Sequence, residues 1–212
     1  MKNLERILQG NKNFAQRTKE QDPDFFKRLV REQKPEFLWI GCSDSRVPAN
    51  EVTDTDPGEM FVHRNIANLV VISDLNLMSV LQYAVEYLEV GNIIVCGHTG
   101  CGGIKAAMTN RDFGVLNRWF TPIKDIYMRN ADLLNSIDDP SARANKLGEL
   151  VTIEQIYNIA KTVVIQKAWK AKKMPLLHAC MYDMATGEMN VLKTISAENT
   201  KLPEIYTIYN WD

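Results

Sequence analysis

Two short segments carry most of the side chains in this chain that can do chemistry. One is Cys42-Ser43-Asp44-Ser45-Arg46 and the other is His98-Thr99-Gly100-Cys101-Gly102-Gly103. Together they offer two thiols, an imidazole and a carboxylate, on Cys42, Cys101, His98 and Asp44. Ionised, that set suits tetrahedral Zn²⁺. Cys101 stands just before Gly102-Gly103-Ile104-Lys105, which reads as a helix start, and a helix N-terminus lowers a thiol's pKa toward the ligating thiolate. The glycines around Cys101 let the backbone turn tightly and approach an ion. Singly, each residue has an ordinary reading. A strand-end cysteine is often a buried hydrophobe, a lone histidine a hydrogen-bonded structural group, and a glycine-rich loop a phosphate cradle. The pairing of the two loops is what singles out a metal site.

Such a pairing needs elements that bring the loops together. Short apolar runs at Phe37–Gly41, Met60–His63, Ile93–Gly97 and Leu176–Cys180 predict buried parallel strands. Met189–Leu192, across the Thr186-Gly187 turn, predicts an antiparallel edge strand. Asp74 is placed to cap a helix bearing Leu77, Leu81, Ala84, Val85 and Leu88, with Gly91 ending it. A helix-rich stretch is expected from about Ile123 to Trp169. The fold class is therefore α/β, with a mostly parallel central sheet of about four strands, an antiparallel edge and flanking helices. Open sheets of this kind place their sites beyond the carboxyl ends of the strands, so the two loops share one rim. Cys96, Cys180, His63 and His178 fall inside strand runs and read as core or as satisfied structural groups.

The first thirty residues read as two helices, the second starting at Asp22-Pro23 and carrying Phe26, Leu29 and Val30. This arm, residues 1–32 of a single 1–212 domain, suits packing on a partner subunit or covering its own sheet. Of the 212 residues 45% are hydrophobic, and the formal net charge of −1 argues against a nucleic-acid binder. No run approaches the roughly 18 apolar residues of a membrane span. The N-terminus lacks a secretory pattern, so the default location is cytoplasmic. Four cysteines in such a chain favour metal binding or catalysis over disulfides.

The paired loops, with Phe61-Val62-His63-Arg64-Asn65-Ile66-Ala67-Asn68 between them, resemble the signature of β-class carbonic anhydrases. The likeness runs from about Gln33 to about Tyr182. It implies one Zn²⁺ per subunit held by Cys42, His98 and Cys101, with Asp44 either the fourth ligand or paired with Arg46. It implies reversible hydration of CO₂ to bicarbonate by hydroxide that zinc makes available near neutrality, with Gln33 helping to hold bicarbonate. In that scheme Arg46 keeps Asp44 ionised and off the metal, and Asp44 moving onto zinc closes the site. Trp39, Arg64 and Tyr182 match a triad that, in an allosteric bacterial subgroup, binds a second bicarbonate and favours the closed state. On the residues alone, Trp39 and Tyr182 read as sheet core and Arg64 as the partner of a carboxylate. The resemblance also implies a homodimer, often paired into a homotetramer. Two other readings stay open: a metal-free thiol enzyme using Cys101 and His98, and a structural zinc module with every ligand engaged. The motif does not distinguish CO₂ from carbon disulfide or carbonyl sulfide.

Overall fold

The computed structural model describes residues 2–208. Two compact units make up the chain, the first ending at Lys34 and the second beginning at Pro35. In the first unit, α1 (Lys2–Gln21) and α2 (Phe25–Arg31) meet through Phe14 and Phe26, edge-on at 6.2 Å between ring centroids. The second helix does not start at Asp22-Pro23 as expected. The Asp22 carboxylate accepts the Asp24 N–H and pairs with Arg28, while its carbonyl closes a turn by accepting from Phe25, so the helix starts only at Phe25. Leu4, Ile7 and Leu8 of α1 and Val30 of α2 remain exposed.

The second unit is built on a five-stranded sheet in the order β2-β1-β3-β4-β5. Strands β1 (Phe37–Cys42), β2 (Met60–Asn65), β3 (Asn92–His98) and β4 (Leu176–Tyr182) run parallel. Strand β5 (Met189–Ile195) lies antiparallel on the β4 edge, as its turn predicts. The central strands are buried on both faces, which is why they read as unbroken apolar runs. On one face Leu38, Ile40, Ile93, Val95 and Leu177 join a core with Leu77, Leu81, Ile156 and Ile159. A separate cluster, which includes alternate strand positions, holds Trp39, Ile94, Cys96 and Cys180. Cys96 and Cys180 are buried register partners. His178 lies between Thr194 Oγ1 at 2.9 Å and Asn92 Oδ1 at 3.0 Å, and buried His63 faces the Asn65 amide. These four side chains serve the fold, as their strand positions indicate.

The helices of this unit are α3 (Ala49–Thr53), α4 (Leu75–Gln82), α5 (Gly102–Ala107), α6 (Leu116–Trp119), α7 (Thr121–Arg129), α8 (Ala131–Asn135), α9 (Pro140–Ala160) and α10 (Val163–Lys172). Asp74 caps α4 by accepting the Asn76 N–H at 3.0 Å. Helix α4 continues through a π-helical turn at Tyr83–Tyr87, and the chain then reverses at Glu89, whose φ is 53°. Gly91 therefore does not end the helix. Its N–H donates to the Glu36 carbonyl and its own carbonyl accepts from Leu176, tying together the starts of β1 and β4. The helix-rich stretch expected from about Ile123 to Trp169 is α7 through α10, and its longest member, α9, buries Leu147, Val151 and Ile156. Leu147 and Val151 share a cluster with Cys42, Cys101, Ile104 and Ile123, so the carboxyl ends of β1 and β3 close onto α5, α7 and α9.

Candidate metal centre

Cys42 is the last residue of β1 and His98 the last of β3. The two strands are parallel neighbours, so both side chains leave the sheet on one rim. Cys101, three residues on, immediately precedes α5. One potential ligand atom from each of these three buried residues lies within 4.8 Å of the others, and the two Sγ atoms are 3.9 Å apart. His98 Nδ1 sits 3.0 Å from the Thr99 carbonyl, a partner that can only accept, so the proton belongs on Nδ1 and Nε2 carries the lone pair. Among the described residues, that Nε2 is buried without a hydrogen-bond partner. Buried polar atoms are rarely left so, and two sulfurs with an imidazole nitrogen are zinc's preferred donors. The residues fit the ion.

The electrostatics agree. The Cys101 thiol, donating to Cys42, leads in pulling the Cys42 pKa down to about 4; burial opposes it, and His98 with the Asp44 and Ala67 N–H groups adds to it. Cys101 moves the other way, raised by that same hydrogen bond, by burial and by the Cys42 charge. The N–H groups of Ile104 and Gly103 at the start of α5 do lower the Cys101 pKa, but without a cation they are outweighed. Two sulfurs this close hold one negative charge between them until a divalent cation draws off the second proton. Burial works against a charged His98, yet the neighbouring Cys42 thiolate more than compensates and raises its pKa.

Asp44 is engaged by Arg46 in a two-pronged pair, Nε to Oδ1 at 2.9 Å and Nη2 to Oδ2 at 2.7 Å, with the Arg46 N–H adding 3.0 Å to Oδ1. This pair, led by the Arg46 side chain, holds the carboxyl well below the usual carboxylate range. Asp44 Oδ2 is 3.8 Å from His98 Nε2, beside the three-residue cluster rather than within it. Of the two places open to Asp44, the structure has the Arg46 pair. Among the described residues Arg64 meets no carboxylate. Its Nε donates to the Cys42 carbonyl at 2.8 Å and its Nη2 to that of Asp44. Trp39 Nε1 is buried with no partner, and half-buried Tyr182 packs against the cluster containing Trp39. Gln33 is exposed at the end of the first unit.

The second loop is held by residues the motifs do not include. Asn145 of α9 accepts the Gly100 N–H through Oδ1 at 2.9 Å. Thr99 Oγ1 donates to Asp183 at 3.3 Å and accepts the Met184 N–H at 2.9 Å. No local signal marks an amide 45 residues from its partner, or a carboxylate 84 away, as a support for this loop. The three glycines also divide their work. Gly100 alone has a left-handed backbone, with φ of 69°. A Cβ on Gly103 would lie 2.8 Å from Ile66 Cγ2, so there the need is close packing, and on Gly102 it would meet nothing within 4 Å.

Comparison with known proteins places this arrangement. The family model described as carbonic anhydrase matches residues 37–189. A carbonic anhydrase of Emericella nidulans is 43% identical over 97% of this chain and 90% of its own length. One of two tetrameric β-carbonic anhydrases of the filamentous ascomycete Sordaria macrospora superposes with a TM-score of 0.89 at 34% identity, over 92% of this chain and all of that one. The Coccomyxa β-carbonic anhydrase, solved with acetazolamide, gives 0.87 at 34% identity over 91% and 88% of the two chains. These comparisons establish the class without supporting a bacterial subgroup. A chain that joins two cysteines and a histidine on one strand rim, and matches these proteins over nearly its whole length, belongs to the β class of the carbonic anhydrase family.

Proposed function

We propose that this protein catalyses the reversible hydration of CO₂ to bicarbonate and a proton, with one zinc ion per subunit held by Cys42, His98 and Cys101. The observation that carries the reading is the buried three-residue cluster with His98 Nε2 left unpartnered. When bound, zinc supplies Lewis acidity, lowering the pKa of a water ligand from ~15.7 toward ~7. The chain's own residues do the rest. Ionised Asp44 can only accept hydrogen bonds, so it would accept one from the attacking oxygen, which keeps its proton and has a lone pair turned toward the substrate. Arg46, always charged, keeps Asp44 ionised and away from the ligand atoms. Asp44 leaving that pair for the metal closes the site. Gln33 holds bicarbonate through its side-chain amide, the assignment the family resemblance supplies.

A second anion pocket at Trp39, Arg64 and Tyr182 belongs to the same proposal. In its favour, the Trp39 indole N–H is a buried donor without an acceptor. Arg64 donates to two carbonyls of the Cys42–Asp44 segment, so an anion that draws on Arg64 acts on the backbone carrying a metal ligand and the gate. The subunits are proposed to form dimers and tetramers, in keeping with the tetrameric Sordaria proteins and the apolar stripe exposed on α1. Four free cysteines fit a reducing compartment such as the cytoplasm. The test is zinc content measured beside stopped-flow CO₂ hydration, for the parent chain and for Cys42→Ser. One zinc per chain with hydration, both lost in the variant, is the expected result. Turnover that survives chelation would overturn it, as would bound zinc without hydration.

A further inference from the structure

The turn that follows β2 contains two successive left-handed residues, neither of them glycine. Ala67 has φ of 63° and ψ of 29°, Asn68 has φ of 46°, and both are buried. Such backbone persists only where its surroundings over-determine it, and it gathers at functional sites. Here the restraints come from three directions. The Asn65 side chain brackets the turn, accepting the Leu69 N–H at 2.8 Å and donating to the Leu69 carbonyl at 2.7 Å. Asn68 Nδ2 donates to Thr152 Oγ1 at 3.3 Å. Trp119, the last residue of α6, donates its indole N–H to the Ile66 carbonyl at 2.8 Å. What the turn borders is the three-residue cluster. Asn65 is the register partner of Cys42, and its carbonyl accepts the Ser43 N–H at 2.9 Å. The Ala67 N–H donates to the Cys42 sulfur.

We infer that Trp119 is a positioning residue for Cys42, acting through the peptide group that joins Ile66 to Ala67. The carbonyl held by the indole and the N–H aimed at the sulfur belong to one planar unit, so fixing the first fixes the second. A carbonyl that accepts a hydrogen bond also polarises the N–H across the same peptide, which strengthens the contact with sulfur. Without the indole the unit is free to rotate. Rotation relieves the left-handed strain at Ala67 and takes the N–H off the sulfur. Contacts of this outer kind set both the orientation and the donor strength of a metal ligand. The inference therefore rests on the ligand role proposed for Cys42.

Trp119→Phe keeps an aromatic ring and removes the indole N–H. Zinc affinity, measured by chelator competition, should fall about tenfold or more, the usual consequence of losing an outer support. Cobalt(II) loaded in place of zinc supplies a second readout, the sulfur-to-metal charge-transfer absorption. That band should move to longer wavelength, because a sulfur deprived of a donor holds its electrons less tightly. A merely structural role for Trp119 would lower the urea midpoint and move neither quantity. Adding Ala67→Gly to Trp119→Phe should restore most of the affinity, since glycine takes a positive φ without strain; no recovery would overturn the inference. Asn65→Ala opens the same turn from its other end and should shift the band the same way, which keeps the test alive if the Phe variant does not fold. Parent-like zinc affinity with an unmoved band in Trp119→Phe or, where that variant does not fold, in Asn65→Ala would overturn the inference while leaving Cys42 a ligand. A parent protein whose cobalt form lacks the band would overturn the ligand assignment and the inference with it, so the two failures are told apart.

Discussion

Gly100 and Gly102 flank Cys101, and a Cβ built on either meets nothing within 4 Å. They differ in backbone: φ is 69° at Gly100, in the left-handed region, whereas Gly102 opens helix α5. Gly100→Ala therefore isolates backbone strain from crowding. The left-handed conformation costs an ordinary L-residue roughly 1–2 kcal/mol, equivalent to a factor of about 5–30 in an equilibrium constant. Because Gly100 lies between His98 and Cys101, two of the proposed ligands, and its N–H is held by Asn145, the strain must fall on one of two measurable quantities. If the metal-free loop relaxes, zinc affinity drops by that factor. If the fold holds the loop regardless, the loss appears in the stability of the metal-free protein. Chelator competition measures the first and urea denaturation the second. Gly100→Asn should lose less, since asparagine tolerates this region better. Gly102→Ala, with no positive φ to give up, should be neutral or stabilise by about 0.4–1 kcal/mol through the unfolded chain. The reasoning is refuted if Gly100→Ala leaves both zinc affinity and stability at parent values, or if Gly102→Ala is as damaging as Gly100→Ala.

Arg46→Ala should retain zinc at full stoichiometry yet lower turnover at least tenfold, since Asp44 loses the partner that keeps it off the metal; normal CO₂ hydration in this variant would remove the gate. Asn145→Ala deletes the acceptor for the Gly100 N–H, and outer supports of this kind typically cost roughly 10–100-fold in metal affinity; unchanged chelator competition would show the contact to be dispensable. His63 and His178 both have pKa values lowered, in each case chiefly by burial, which favours the neutral ring. The unfolded chain therefore binds more protons near pH 6, so the stability these residues contribute is present above the unfolded value of 6.5 and is lost as pH falls through the folded value. Denaturation midpoints from pH 8 to pH 5 should fall, and less steeply in His178→Gln; parallel curves for the parent and this variant would contradict that origin.

The sheet and the sulfur and nitrogen side chains of the buried three-residue cluster could be read from the chain itself. Apolar runs such as Phe37–Gly41 and Ile93–Gly97 are the signature of strands buried on both faces, and few side chains can ligate zinc, so Cys42, His98 and Cys101 stand out by type alone. Capping by Asp74 was legible for the same reason, because its partner lies two residues away. The turn at Glu89 and the true role of Gly91 were not, since both depend on strand pairing with Glu36 and Leu176. Nor could composition distinguish the three glycines around Cys101, where a torsion angle at one and Ile66 beside another make the difference. The choice of Asp44 between metal and Arg46, the carbonyl partners of Arg64, and the support from Asn145 and Asp183 belong wholly to tertiary structure. A ligand is recognised by its own chemistry, whereas a positioning residue is an ordinary polar side chain until folding brings a distant backbone to it.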